Sequence, residues 1–153
     1  MPGSQKTMDE MVDEVFELTK LIYAARSRLP SGPDQLSETE FLTLDLLAKE
    51  ECLTIGAIQR SVGVVPAQMS RIVRALEEQG GRGFVECRIN PKDRRRVNVV
   101  LTDAGRKAYE AYRAARLKTM YDALSVLAPE DRMEFMRMMR TIRGAFEQRL
   151  GLC

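Results

Sequence analysis

Four cations, Lys92, Arg94, Arg95 and Arg96, crowd one short stretch of this chain, interrupted only by Asp93. Cationic groups at that density bind polyanion oxygens, along a nucleic-acid backbone or inside a narrow minor groove. From residue 60 to residue 96 there are nine basic residues (Arg60, Arg71, Arg74, Arg82, Arg88, Lys92, Arg94, Arg95, Arg96) and four acidic ones (Glu77, Glu78, Glu86, Asp93). That local excess of five exceeds the net charge of +2 for all 153 residues. A second set, Ala67, Gln68, Ser70, Arg71 and Arg74, has the side chains that read base edges. A glutamine amide matches adenine, and a guanidinium matches guanine or phosphate. A bare charge run would read as a solvated surface, so the elements that carry these residues decide between the two.

Catalytic and metal chemistry are poorly served. The chain has no histidine, which removes the commonest general base, the Ser-His and Cys-His pairs, and the commonest zinc ligand. Cys52, Cys87 and Cys153 are widely spaced and form no C-x-x-C pair. They point to a reducing cytoplasm without a disulfide framework. No run of about 18 apolar residues exists, and the polar residues 1–7, expected to be disordered, lack the apolar core of a signal peptide. The expectation is therefore a cytoplasmic protein that is not an enzyme, has no cofactor and no metal, and does not enter a membrane.

Two β-type runs, Val85–Ile89 and Val97–Leu101, flank the cationic stretch, and Asn90, Pro91 and Asp93 supply the turn between them. Upstream, Thr54 caps a short helix predicted over 54–61, a tight Val62-Gly63-Val64-Val65 turn follows, and Pro66 opens a helix over 66–79. Met69, Ile72, Val73 and Leu76 form the buried face of that second helix, which leaves the base-reading set outside. Two helices on a short turn, followed by a basic hairpin, make a helix-turn-helix with a wing.

The flanks are helical. Apolar residues at Met8, Met11, Val12, Val15, Phe16, Leu18, Ile22 and Tyr23 predict a helix over 8–29, ended by Pro30, Gly32 and Pro33. Ser37-Glu38-Thr39-Glu40 is a capping box opening a helix to about residue 50, which buries Phe41, Leu42, Leu44, Leu46 and Leu47. Thr102-Asp103 opens a helix over 103–127, and Pro129 opens a last one over 129–150. The last helix carries Met133, Phe135, Met136, Met139, Ile142, Phe146 and Leu150. The expected class is mainly α, of α+β type. It comprises a winged helix-turn-helix over 34–102 with a two-stranded β wing, and a helical dimerisation region from 8–33 and 103–153. The terminal helices carry more apolar surface than they bury alone, which predicts a two-fold homodimer.

The chain resembles the MarR family of winged helix-turn-helix transcriptional regulators. The most specific match is Asp93-x-Arg95, five residues, then Leu101-Thr102, with Asn90-Pro91-Lys92 before it. Leu36-Ser37, the run 76–80 and Leu101-Thr102-Asp103-Ala104-Gly105-Arg106 also match, so the resemblance spans about residues 8–150. It implies an ion pair between Asp93 and Arg95, with Arg94 or Arg95 reaching a minor groove. It also implies that Gln68, Ser70 and Arg71 meet the major groove. Effectors of such regulators bind between the dimerisation helices and the DNA-binding unit. Tyr23, Arg26 and Arg28 are the candidates to meet a phenolic or anionic aromatic effector here. The chain departs from the pattern at Val65, where the family has a capping Ser or Thr, and in its glycine-rich link at 80–84. The first helix has no reactive cysteine for peroxide sensing. The expected function is a repressor that binds double-stranded DNA as a homodimer under effector control. The alternative is a helical dimer that acts through protein contacts without DNA.

Overall fold

The computed structural model describes residues 2–28, 36–81 and 83–151. The expected hinge at Pro30, Gly32 and Pro33, as well as Arg82 and Cys153, lies outside them. Among the described residues six α-helices and three strands run in the order α1 (Pro2–Ser27), α2 (Glu38–Lys49), β1 (Leu53–Thr54), α3 (Ile55–Val62), α4 (Pro66–Glu78), β2 (Val85–Ile89), β3 (Val97–Leu101), α5 (Asp103–Leu124) and α6 (Pro129–Leu150). None is long and apolar enough to cross a membrane. The chain divides into two compact units, Met1–Arg116 and Leu117–Cys153.

In the first unit the core is built on α2, α3 and α4. Leu36, Leu44, Leu47, Ile58, Met69, Ile72, Val73, Leu76, Phe84, Val85, Val99 and Tyr109 are buried together. The Ser37 capping box forms as expected: the Glu40 amide donates to Ser37 Oγ and the Ser37 amide donates to Glu40 Oε2 at 2.7 Å. Leu42 faces solvent instead of the core. Thr43 takes a buried place there because its hydroxyl donates to the Thr39 carbonyl at 2.8 Å. Helix α1 begins at Pro2, within the stretch expected to be disordered, and ends at Ser27.

The wing strands have the expected bounds, pairing antiparallel from Val85↔Leu101 to Ile89↔Val97. The two wing strands are joined by a third, shorter strand. Leu53 and Thr54 pair with Val99 and Asn98 on the far side of β3, giving the order β1-β3-β2. This pairing buries Val99 from both sides, whereas Val97 is exposed near the wing tip.

In the second unit, the end of α5 turns back into α6. Helix α5 stops at Leu124, earlier than expected, because Arg132 draws the chain end over. Its guanidinium donates to the carbonyls of Leu127 and Ser125 at 2.8 and 3.1 Å. Tyr121, Leu124, Leu127, Phe135, Met136 and Met139 line an apolar cavity of about 320 Å³. No residue of α6 is buried.

Candidate nucleic-acid interface

Helix α4 turns its apolar positions inward and its candidate base-contact residues outward. Met69, Ile72, Val73 and Leu76 point into the core, and Ala67, Gln68, Ser70, Arg71 and Arg74 are all exposed. The turn ahead of α4 is held by Gln59, whose side-chain amide donates to the Val64 carbonyl at 2.6 Å. Gly63 makes the turn with φ at +76°, a region that favours glycine. Val65 stands at the N-cap and provides no side-chain cap. The cost is small, because Pro66 has no N–H and the Gln68 amide bends to the Val65 carbonyl at 3.0 Å.

The wing tip is a tightly bonded turn. Asn90 Oδ1 accepts from the amides of Lys92 and Asp93 at 2.9 and 3.1 Å, and Asn90 Nδ2 donates to Asn98 Oδ1 at 2.9 Å. The Asn90 amide donates to the Arg96 carbonyl at 2.9 Å, closing the turn across the strands. The expected Asp93–Arg95 ion pair is not what forms. Asp93 Oδ2 pairs with Arg96 Nε at 3.1 Å, while Arg95 reaches Asp93 only through its backbone amide at 3.1 Å. The turn explains the change: it puts the side chain at i+3 beside the carboxylate and turns the side chain at i+2 outward. Lys92, Arg94 and Arg95 remain exposed, with no ion-pair partner among the described residues. Arg88, also in the basic count, is neutralised by two hydrogen bonds to Glu86, and those bonds hold the Glu86 carboxyl below its ordinary range.

Three joints fix the wing against its neighbours. Glu77 of α4 accepts from the Cys87 amide at 3.3 Å. Burial, with the Glu77 hydrogen bond and charge added, pushes the Cys87 thiol up to about 12, far from a redox-active range. The Phe84 amide donates to the Leu76 carbonyl at 2.7 Å, tying the wing's entry to the end of α4. Thr102 forms the third. Its amide donates to the Phe84 carbonyl at 3.1 Å, its hydroxyl donates to the Gly83 carbonyl at 2.8 Å, and that hydroxyl caps α5 by accepting from the Gly105 amide at 3.0 Å. Gly105 must be glycine here, since a Cβ would lie 2.0 Å from the Phe84 carbonyl oxygen.

The effector candidates are not brought together. Tyr23 and Arg28 are exposed, while Arg26 reaches Glu38 Oε1 of α2 at 3.4 Å. Glu38 leads instead to a residue the sequence reading missed. Arg116 Nη2 donates to both Glu38 oxygens at 3.0 and 2.9 Å, and its guanidinium lies 4.4 Å from the Phe41 ring centroid and 5.7 Å from that of Tyr112. The Arg116 side chain is 11% exposed, and its Nη1 is buried without a partner among the described residues. The available signal was Tyr109, Tyr112 and Arg116 recurring on one face of α5. Below it on the same seam, Tyr109 Oη donates to Asp45 Oδ1 at 2.7 Å and Lys49 Nζ donates to Asp45 Oδ2 at 2.6 Å. Burial works to raise the Asp45 carboxyl, but the Lys49 and Tyr109 hydrogen bonds and the Lys49 and Arg113 charges hold it below its ordinary range.

Comparison with known proteins gives one consistent likeness. The model of the MarR family matches residues 36–97. An HTH-type transcriptional regulator of Mycobacterium tuberculosis is 34% identical over 120 residues, 78% of this chain and 80% of the relative. A MarR family transcriptional regulator from Streptomyces coelicolor, solved in complex with DNA, is similar in fold with a TM-score of 0.70 at 18% identity, covering 90% of this chain and 86% of that one. The PcaV transcriptional regulator of the same organism, solved with its natural ligand, has a TM-score of 0.60 at 20% identity, covering 90% and 92%.

Proposed function

Because the chain belongs to the MarR family of DNA-binding transcriptional regulators, we propose that it is a cytoplasmic homodimeric repressor whose grip on its operator is released by an anionic aromatic effector. One observation carries the DNA contacts. The exposed residues of α4 and the exposed Lys92, Arg94 and Arg95 of the wing belong to elements that are bonded to one another, so they meet a duplex as one surface. Gln68, Ser70, Arg71 and Arg74, with Ala67, enter a major groove, and the wing follows the flanking backbone. Arg96 contributes through Asp93 more than by contact. Pairing through the apolar faces of α1 and α6 would set two reading helices about one DNA turn, roughly 34–36 Å, apart. A regulator of this family in complex with DNA supports the reading.

The effector half rests on Arg116. A carboxylate displacing Glu38 would find a guanidinium already stacked on Phe41, with one nitrogen lacking a partner among the described residues, and an aromatic ring would find Phe41 and Tyr112. Arg26, one of the expected residues, shares that Glu38. The PcaV regulator, solved with its natural ligand, supports an effector for this chain without locating its site. Binding there would release DNA only by preferring one dimer shape over the other.

The test is a gel shift on the chain's own upstream region over a range of salt. Steep salt dependence is expected, and Arg94→Ala/Arg95→Ala should reduce the slope of log affinity against log salt by about two, at roughly 0.9 per phosphate contact. An unchanged slope in that variant would sink the wing reading. Adding benzoate or hydroxybenzoates should release the duplex from the wild-type chain and not from Arg116→Gln. Equal release from both would remove Arg116 from the effector site.

A further inference from the structure

The wing tip holds a residue whose bonds are all directed inward. Asn90 is half-buried, and it bonds to four separate parts of the turn: the Lys92 amide, the Asp93 amide, the Asn98 side chain and the Arg96 carbonyl. Its Oδ1 accepts two N–H groups and so has no lone pair to spare, while Nδ2 ties the tip to the opposite strand. Asp93, the residue it orients, then takes the Arg95 amide and the Arg96 guanidinium. The chain of bonds runs from Asn90 through Asp93 to Arg96 and leaves three cations, Lys92, Arg94 and Arg95, projecting from a fixed backbone.

We infer that Asn90 is the positioning residue of the wing: it makes no contact with DNA and acts through the cations it orients. The inference rests on the reading of the wing as a DNA contact. Without the Asn90 side chain, two amides and the Asn98 carbonyl oxygen turn to water, and the backbone of residues 91–95 regains freedom that must be lost again on the duplex. The cations themselves stay in place. Affinity should therefore fall about tenfold in Asn90→Ala, and hydroxyl-radical protection should be lost over the flanking backbone and kept over the major groove.

The deciding measurement is a double-mutant cycle on a duplex selected by the wild-type chain from a random pool. Asn90→Ala is combined with Arg94→Ala/Arg95→Ala, and thermal melts of each variant confirm the folded state. In the arginine-free background Asn90→Ala should cost less than twofold, because its effect passes through the missing side chains. Asn90→Ser, which keeps a turn-forming acceptor, should recover part of the affinity, and Asn98→Ala should lose a smaller part. A full tenfold cost in both backgrounds would overturn the inference, since a direct contact or a general loss of fold would add independently. A wild-type footprint and affinity in Asn90→Ala would overturn it too. If the two arginines alone can be removed without effect, the wing reading itself fails, which is a separate result from either of these.

Discussion

The core of α2, α3, α4 and the sheet differs from the terminal helices in what holds it. Leu44, Ile58, Met69, Leu76 and Val99 are fully buried within one chain. In α1, Met8, Met11, Val12, Val15, Phe16 and Leu18 are each more than half exposed, and in α6 Met133, Ile142, Phe146 and Leu150 are open. The first region closes by itself, and its stability belongs to the single chain. The second presents exposed apolar stripes at helical spacing, which the partner subunit would cover in the proposed homodimer. Its order should therefore depend on protein concentration.

That contrast can be broken or sharpened by substitution. The largest effect is expected from Leu44→Ala, which empties a fully buried site and should cost about 2–5 kcal/mol at every protein concentration. Phe146→Ala, in contrast, should leave the melting of dilute protein nearly unchanged and weaken self-association in sedimentation experiments. A concentration-independent loss as large as that of Leu44→Ala would erase the distinction. Next comes Gly105→Ala, whose methyl would collide with the Phe84 carbonyl; about 1–3 kcal/mol in the melt is expected, with a loss of DNA binding beyond what unfolding explains.

A smaller effect follows at the seam between α2 and α5. Tyr109→Phe removes the hydrogen bond to Asp45 and should cost about 1 kcal/mol in a denaturant titration. The Asp45 carboxyl is held below its ordinary value of 3.8, so its contribution is complete above that value and is lost as pH falls through the lower folded value. Asp45→Asn should accordingly flatten the acid limb of the stability curve and leave its alkaline side alone. The smallest effect is chemical. Exposed Cys52 should react with iodoacetamide at pH 8 far faster than Cys87, whose thiol is pushed up to about 12; peptide mapping that finds Cys87 alkylated first would contradict the bond to Glu77.

Much of this was legible in residues with local meaning. The strands Val85–Ile89 and Val97–Leu101 and the helix Pro66–Glu78 were predictable because turn residues, a proline and an apolar period all act over a few positions. Strand β1 was not, because two residues carry no pattern and Leu53 becomes a strand only by meeting Val99. Arg116 was hidden for a similar reason: a charge on a helix reads as outward until Phe41 and Glu38 arrive from another helix. The Asp93 partner was misassigned because spacing alone does not say whether a turn swings i+2 or i+3 toward a carboxylate.

Thr102 is the entire connection between β3, which ends at Leu101, and α5, which begins at Asp103. Its two bonds to residues 83 and 84 leave that connection without slack. In the homodimer proposed here, the first half-site bound would then hold the second reading helix close to its own half-site, at an effective concentration that a flexible tether would dilute. A Gly-Ser insertion after Thr102 should thus leave affinity for a single half-site intact while sharply weakening binding to the paired operator. The avidity of the whole dimer would rest on one residue having no room to move.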